Sequence, residues 1–293
     1  MIFKIISLLP QRLVYLIADF LWFLGFQVFG YRRSIIRDNI RTCFPEFTEK
    51  EVKKTANQFG RQFLYVLGEA IYAYRFTEED WKERVEMRGS EKVRGYIEQG
   101  KTVLVAYGHM TNWEWPFLSM GSLLNVPIEF LYRPMENNGV DKSLLTFREK
   151  HGGTGLPKDK AIRHILKHKD KPRVIGIIGD QIPSRGTDKQ WLGFFDKETA
   201  FYQGSEKIAI ATQSPVFFME VLRTGRGRYQ CTFHEIATPP YSKKHTGIIK
   251  SYAQHLEQNI RKQPEGYLWS HRRWKYTKAE DPTINEQAKS GEN

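Results

Sequence analysis

From Gly100 onward the chain alternates short apolar runs with amphipathic ones, and this alternation limits its fold more than any other feature. Residues 102–106, 127–132, 173–178, 215–222 and 229–236 have the length and the β-branched content of strands. Residues 113–120, 139–150, 160–168, 205–211 and 246–262 carry helical periodicity. Helices interspersed among strands cover a sheet on both faces, so the expected class is α/β, a mixed central sheet flanked by helices. With 293 residues the chain can bury one substantial core of this kind. The chain has no internal repeats, and neither a GxGxxG nor a GxxxxGK[ST] run is present.

The amino-terminal part follows a different pattern. Residues 13–29 (LVYLIADFLWFLGFQVF) are apolar apart from Asp19 and Gln27, and their 17 positions only just reach the length of a membrane span. Arg32, Arg33 and Arg37 follow at once, and the positive-inside bias puts that end, with the body behind it, on the cytoplasmic side. The expectation is a membrane-associated helix in residues 1–30, either spanning or lying in the interface; an aromatic-rich core helix is the alternative. A helix then starts clearly at Thr48, where Thr48-Glu49-Lys50-Glu51 forms a capping box and an apolar stripe runs through Val52, Ala56, Phe59, Phe63, Val66 and Ala70. Thr77 caps another helix. The main domain is expected over residues 31–278, with a polar tail at 279–293.

The 45 Lys and Arg against 33 Asp and Glu give a net charge of +12, which favours nucleic acid, anionic lipid or an acidic protein as partner. Cys43 and Cys231 stand far apart, so no disulfide framework or zinc site is suggested.

Chemistry concentrates where the first strand of the alternating region ends. Gly108 breaks the strand, His109 sits in the turn, and Glu114 lies in the first turn of the next helix. A histidine oriented by a carboxylate can take a proton from an alcohol near neutral pH. Thr111-Asn112-Trp113-Glu114 fits a capping box equally well. Further polar groups stand at strand ends, where open α/β sheets place their ligands: Arg133 after the second strand, and Gly179-Asp180-Gln181 after the third. Arg148 lies on the helix between them. The aromatic and glycine-rich stretch 193–204 can line an acyl groove or pack as a loop. Residues 267–275 interleave aromatics with bases, which suits an anionic lipid interface, a phosphate-bearing ligand or stacked RNA bases.

Taken together these stretches resemble the late acyltransferases of lipid A biosynthesis, within the lysophospholipid acyltransferase superfamily. The similarity covers nearly the whole chain: Asn39 through Phe44-Pro45-Glu46, Gly108-His109 through Asn112-Trp113-Glu114, Arg148 with Gly152, Asp180-Gln181, and the ending from Trp269 to Lys275. Asp196 and Gln203 depart from the family's usual glycine and threonine. The resemblance implies an inner-membrane enzyme facing the cytoplasm. It would move a fatty acyl group from acyl carrier protein to a lipid A precursor, with no cofactor, metal or nucleic acid involved. His109 and Glu114 would be the catalytic pair, and Arg148, Asp180, Arg133 and Asn112 would bind substrate. Another lipid acceptor (a lysophospholipid, aminolipid or glycolipid) is the alternative within the same chemistry. A membrane-adsorbed nucleic-acid-binding protein is the alternative from another class.

Overall fold

The structure is a computed structural model that describes residues 7–132, 134, 138–242 and 247–281. Helix α1 (Gln11–Trp22) continues into a π-helical turn (Phe23–Val28). It is followed by α2 (Arg33–Cys43) and the long α3 (Glu49–Tyr72), whose start is the expected capping box between Thr48 and Glu51. Helix α1 lies along α3. It buries Val14, Tyr15 and Ala18 there, and Gly60 of α3 makes room for the Phe26 ring, which would lie 2.5 Å from any β-carbon at that position. Polar latches fix the pairing: Arg61 grips Asp19 at 2.6 and 2.8 Å, Tyr65 donates to Asp19 at 2.6 Å, and Tyr15 donates to Glu69 at 2.7 Å.

The outer side of α1 is a different surface. Leu16 is 64% exposed, Phe20 61% and, past the π-helical turn, Phe29 79%. Among the described residues no single helix is long and apolar enough to cross a membrane; residues 11–28 and α2 would qualify only as a pair, and they are bent by 88°.

Next come α4 (Glu78–Arg84), capped as expected by Thr77, and then β1 (Val85–Arg88), α5 (Ser90–Glu98), β2 (Val103–Tyr107) and α6 (Glu114–Leu124). The chain continues through β3 (Ile128–Tyr132), α7 (Asn138–Lys150), β4 (Gly153–Pro157), α8 (Lys158–Lys167) and β5 (Val174–Ile178). A separate antiparallel hairpin, β6 (Lys189–Phe194) and β7 (Lys197–Tyr202), precedes α9 (Gly204–Thr212), β8 (Val216–Gly225), β9 (Arg228–Ala237) and α10 (Ile248–Lys262).

Seven strands form one sheet in the order β1-β9-β8-β2-β5-β3-β4, parallel throughout except for the antiparallel pair β8–β9. This is the mixed sheet expected. Alternate residues face opposite ways along each strand: Leu104, Ile175 and Val216 pack on α8 and α9, while Val103, Val105 and Phe217 belong to a larger core shared with α3, α6 and α10. Strands β1 and β4 and the hairpin were not expected. Val85–Arg88 is only four residues long, and Gly153–Pro157 is rich in the residues that usually mark turns.

Candidate active site

Strand register brings the site together. In the β2–β5 ladder Tyr107 pairs with Ile178, so the residues two positions beyond each, His109 and Asp180, leave the sheet side by side. Asp180 accepts from His109 twice, from Nδ1–H at 2.7 Å and from the backbone N–H at 3.0 Å. The approach requires Gly108, because a β-carbon there would lie 2.4 Å from the Leu256 side chain. Asp180 is fully buried, and burial opposes its charge. The His109 imidazole, both hydrogen bonds and the more distant Arg273 guanidinium outweigh that cost and hold its carboxyl below the usual carboxylate range. With Nδ1–H committed to Asp180, Nε2 carries the lone pair, and it makes no hydrogen bond to the described residues. The imidazole rests edge-on to Trp113, with centroids 5.2 Å apart.

The expected His109–Glu114 contact is not made. Both Glu114 oxygens are taken by Arg148: Nε donates to Oε2 at 2.9 Å, and Nη2 donates to Oε1. Burial works against the Arg148 charge, but Glu114 more than compensates and raises its pKa. The guanidinium lies over the Phe130 ring, and Nη1 makes no hydrogen bond to the described residues. Nor does the Thr111–Glu114 capping box form. Thr111, with φ of +46°, gives its amide to the Gly266 carbonyl at 2.6 Å.

Asn112 does the capping instead. Its Oδ1 accepts from the amides of Glu114 (3.2 Å) and Trp115 (3.0 Å), and its Nδ2 donates to Glu69 at 2.8 Å. Fully buried, it has no surface for substrate and serves to hold the turn. Arg133 lies outside the described residues.

A family model described as bacterial lipid A biosynthesis acyltransferase matches residues 1–276. The chain belongs to that family. Its relatives are distant. A lipid A biosynthesis acyltransferase of Haemophilus influenzae is 22% identical over 81% of this chain and 74% of its own length. The lauroyltransferase of Escherichia coli is 22% identical over 91% of this chain and 87% of its own, and the palmitoleoyltransferase of the same organism is 22% identical over 83% and 79%. The protein is therefore an acyltransferase of lipid A biosynthesis.

Several residues that shape this acyltransferase's site do not stand out in its sequence. Tyr252 of α10 donates to the Tyr107 carbonyl at 2.9 Å and accepts from the Gly179 amide at 3.3 Å, clamping the ends of β2 and β5 together. Glu69 of α3, 1% exposed, accepts from Tyr15, Asn112 and, at 2.5 Å, Tyr229. It thereby ties the active-site turn to α1. His271 is kept neutral by burial, which pushes its pKa down to about 4, and its Nε2 accepts from the Ile182 amide at 3.0 Å, steadying the loop after Asp180.

Both aromatic segments pack most of their aromatic side chains against the core. Trp269 and Arg273 are buried, Asn39 of α2 donates to the carbonyls of Trp269 and His271, and Arg273 reaches the Ala200 carbonyl at 2.6 Å, so the segment is anchored in the core at these residues while Arg272 and Lys275 stay exposed. In the hairpin, Phe194, Phe195 and Phe201 are buried as well. Its two-residue turn places Phe195 and Asp196 at positive φ, the conformation that favours glycine.

Proposed function

We propose that this acyltransferase moves a fatty acyl group from the thioester of acyl carrier protein to a hydroxyl of a lipid A precursor, at the cytoplasmic face of the inner membrane. The observation that carries this reading is the double hydrogen bond from His109 to Asp180, which sets the tautomer and leaves Nε2 as the base. His109 takes the proton of the acceptor hydroxyl, and Asp180 stabilises the imidazolium that forms. The alkoxide attacks the thioester carbonyl, and the tetrahedral intermediate collapses to the ester. The departing thiolate of the carrier's prosthetic arm takes back the proton from His109.

Glu114 is assigned to aiming Arg148, whose Nη1 meets either the developing oxyanion or a phosphate of the acceptor. A donor to the oxyanion contributes roughly 3–4 kcal/mol to the barrier. Membrane association rests on the apolar outer side of α1, which can sink into the interface while its inner side stays on α3. The net charge of +12 favours encounter with both an acidic carrier protein and an anionic acceptor.

The test is direct: purified protein with acyl carrier protein donor and lipid A precursor should give a product heavier by one acyl chain, and His109→Ala should not. Acylation of a lysophospholipid but not of the lipid A precursor would move the assignment to the other acceptor class.

A further inference from the structure

Below the π-helical end of α1, a cavity of about 250 Å³ opens between that turn, α2 and the start of α3. Its charged lining is entirely cationic: Arg33, Arg37 and Lys53, with no carboxylate among the lining residues. Arg33 spends Nη2 on the carbonyls of Phe26 (3.2 Å) and Gln27 (2.9 Å), which fixes the side chain, and its other nitrogens make no hydrogen bond among the described residues. Arg37 makes no hydrogen bond or ion pair among the described residues, and its Nε is buried without a partner. Glu49, a carboxylate that feels the Arg37 charge, is already held by Arg41 at 2.7 and 2.8 Å. Gln27 donates to Asn57 Oδ1 at 3.0 Å, and Asn57 Nδ2 makes no hydrogen bond among the described residues.

Three cations drawn round one hollow repel one another unless an anion sits among them, and an orphaned guanidinium Nε inside it is a donor in search of an oxygen. Through Gln27 the hollow adjoins two exposed apolar residues that follow it in the chain, Val28 at 57% and Phe29 at 79%.

We propose that this cavity binds the phosphate group of an anionic bilayer phospholipid, so that the enzyme grips a headgroup beside the apolar surface it buries in the membrane. The proposal rests on the membrane reading of α1 given above. Arg33 and Arg37 supply forked donors to the phosphate oxygens, Lys53 supplies a mobile charge at the rim, and Asn57 adds a neutral donor. A second copy of the same charge elsewhere on the protein would attract anionic vesicles without this geometry, and the experiment separates the two.

The experiment is co-sedimentation with phosphatidylcholine vesicles, with and without phosphatidylglycerol, at physiological salt. The wild type should bind both and prefer the second. Arg37→Gln combined with Lys53→Gln should weaken binding to the phosphatidylglycerol vesicles by roughly twenty- to thirtyfold, at about fivefold per charge. Binding to pure phosphatidylcholine should change little. Removing two exposed charges from the turn between α8 and β5, Lys167→Gln with Lys171→Gln, should cost clearly less. Lys53→Gln alone, at an exposed side chain, keeps the test open if the double variant melts early.

Equal losses for the two pairs would overturn the site in favour of diffuse attraction. A raised Michaelis constant for the lipid A precursor in detergent micelles, with vesicle binding intact, would give the cavity to the acceptor and overturn the proposal. Failure of the wild type to bind any vesicle would instead remove the membrane reading itself, and this proposal with it.

Discussion

Asp180→Asn is the substitution that tests the site most sharply, because it changes almost no volume and yet cannot reproduce the hydrogen bonds. Asp180 accepts both from the His109 amide and from Nδ1–H. An asparagine has one oxygen and one NH₂ for these two donors. The backbone amide cannot change its role, so the asparagine oxygen should go to it and the NH₂ should face Nδ1. The ring is then forced to accept at Nδ1 and to carry its proton on Nε2, the tautomer that cannot act as the base.

The same forced tautomer in a hydrolase triad costs about 10⁴-fold in kcat, and we expect about 10³- to 10⁴-fold here, or roughly 4–5.5 kcal/mol of barrier. The ordering of variants makes the test discriminating. Asp180→Ala leaves the ring free to take either tautomer, so Asp180→Asn should be at least as damaging although it is the closer mimic. The assay is the rate of product formation under saturating donor and acceptor, with thermal melting to confirm folding. A folded Asp180→Asn enzyme within tenfold of wild type, or one clearly more active than Asp180→Ala, would refute the tautomer argument.

Arg148→Lys should impair the enzyme although charge is kept, since the Glu114 fork pairs with a planar guanidinium; a lower kcat would place Nη1 on the oxyanion, a higher acceptor KM on a phosphate, and unchanged constants would take Arg148 out of the site. Glu114→Gln should lower activity through the same pair, less severely than His109→Ala; activity equal to wild type would show that Arg148 needs no aiming. Glu69→Ala strands three buried donors, the hydroxyls of Tyr15 and Tyr229 and the amide of Asn112, and should cost at least about 3 kcal/mol in urea denaturation. His151, 7% exposed and bonded to the Ala73 carbonyl at 2.9 Å, has its pKa pushed down to about 4 by burial. The folded state therefore binds fewer protons than the unfolded one, and roughly 2–3 kcal/mol of stability, fully present above pH 6.5, should drain away as pH falls from about 6.5 to about 4. His151→Gln should flatten that slope in melting curves taken across the range; an unchanged slope would refute the assignment.

The α/β class and all five strands expected after Gly100 were legible because β2, β5 and β8 are nearly continuous apolar runs and β3 and β9 alternate, and both patterns are local properties. The partner of His109 was not legible, although Asp180 stood out at a strand end. Strand order is the missing quantity: β5 follows β2 in the chain only after β3 and β4, yet it lies next to β2 in the sheet, between β2 and β3. Spacing along the chain favoured Glu114, five residues away, whereas the ladder brings in Asp180, 71 residues away.

The same limit hid Glu69 and Tyr252, which lie on helices with ordinary apolar stripes and gain their roles only when α3 passes behind the turn and α10 crosses the strand ends. In the segment 267–275, where aromatics beside bases suggest a surface, composition did not separate the exposed Arg272 and Lys275 from Trp269 and Arg273, which are inside, while His271 holds the loop after Asp180. What a short motif records is therefore the side of the site built by one loop. The His109–Asp180 pair belongs to the register between two strands, and for that reason Asp180→Asn, more than any change within the motif, tests whether this sheet was built around the base.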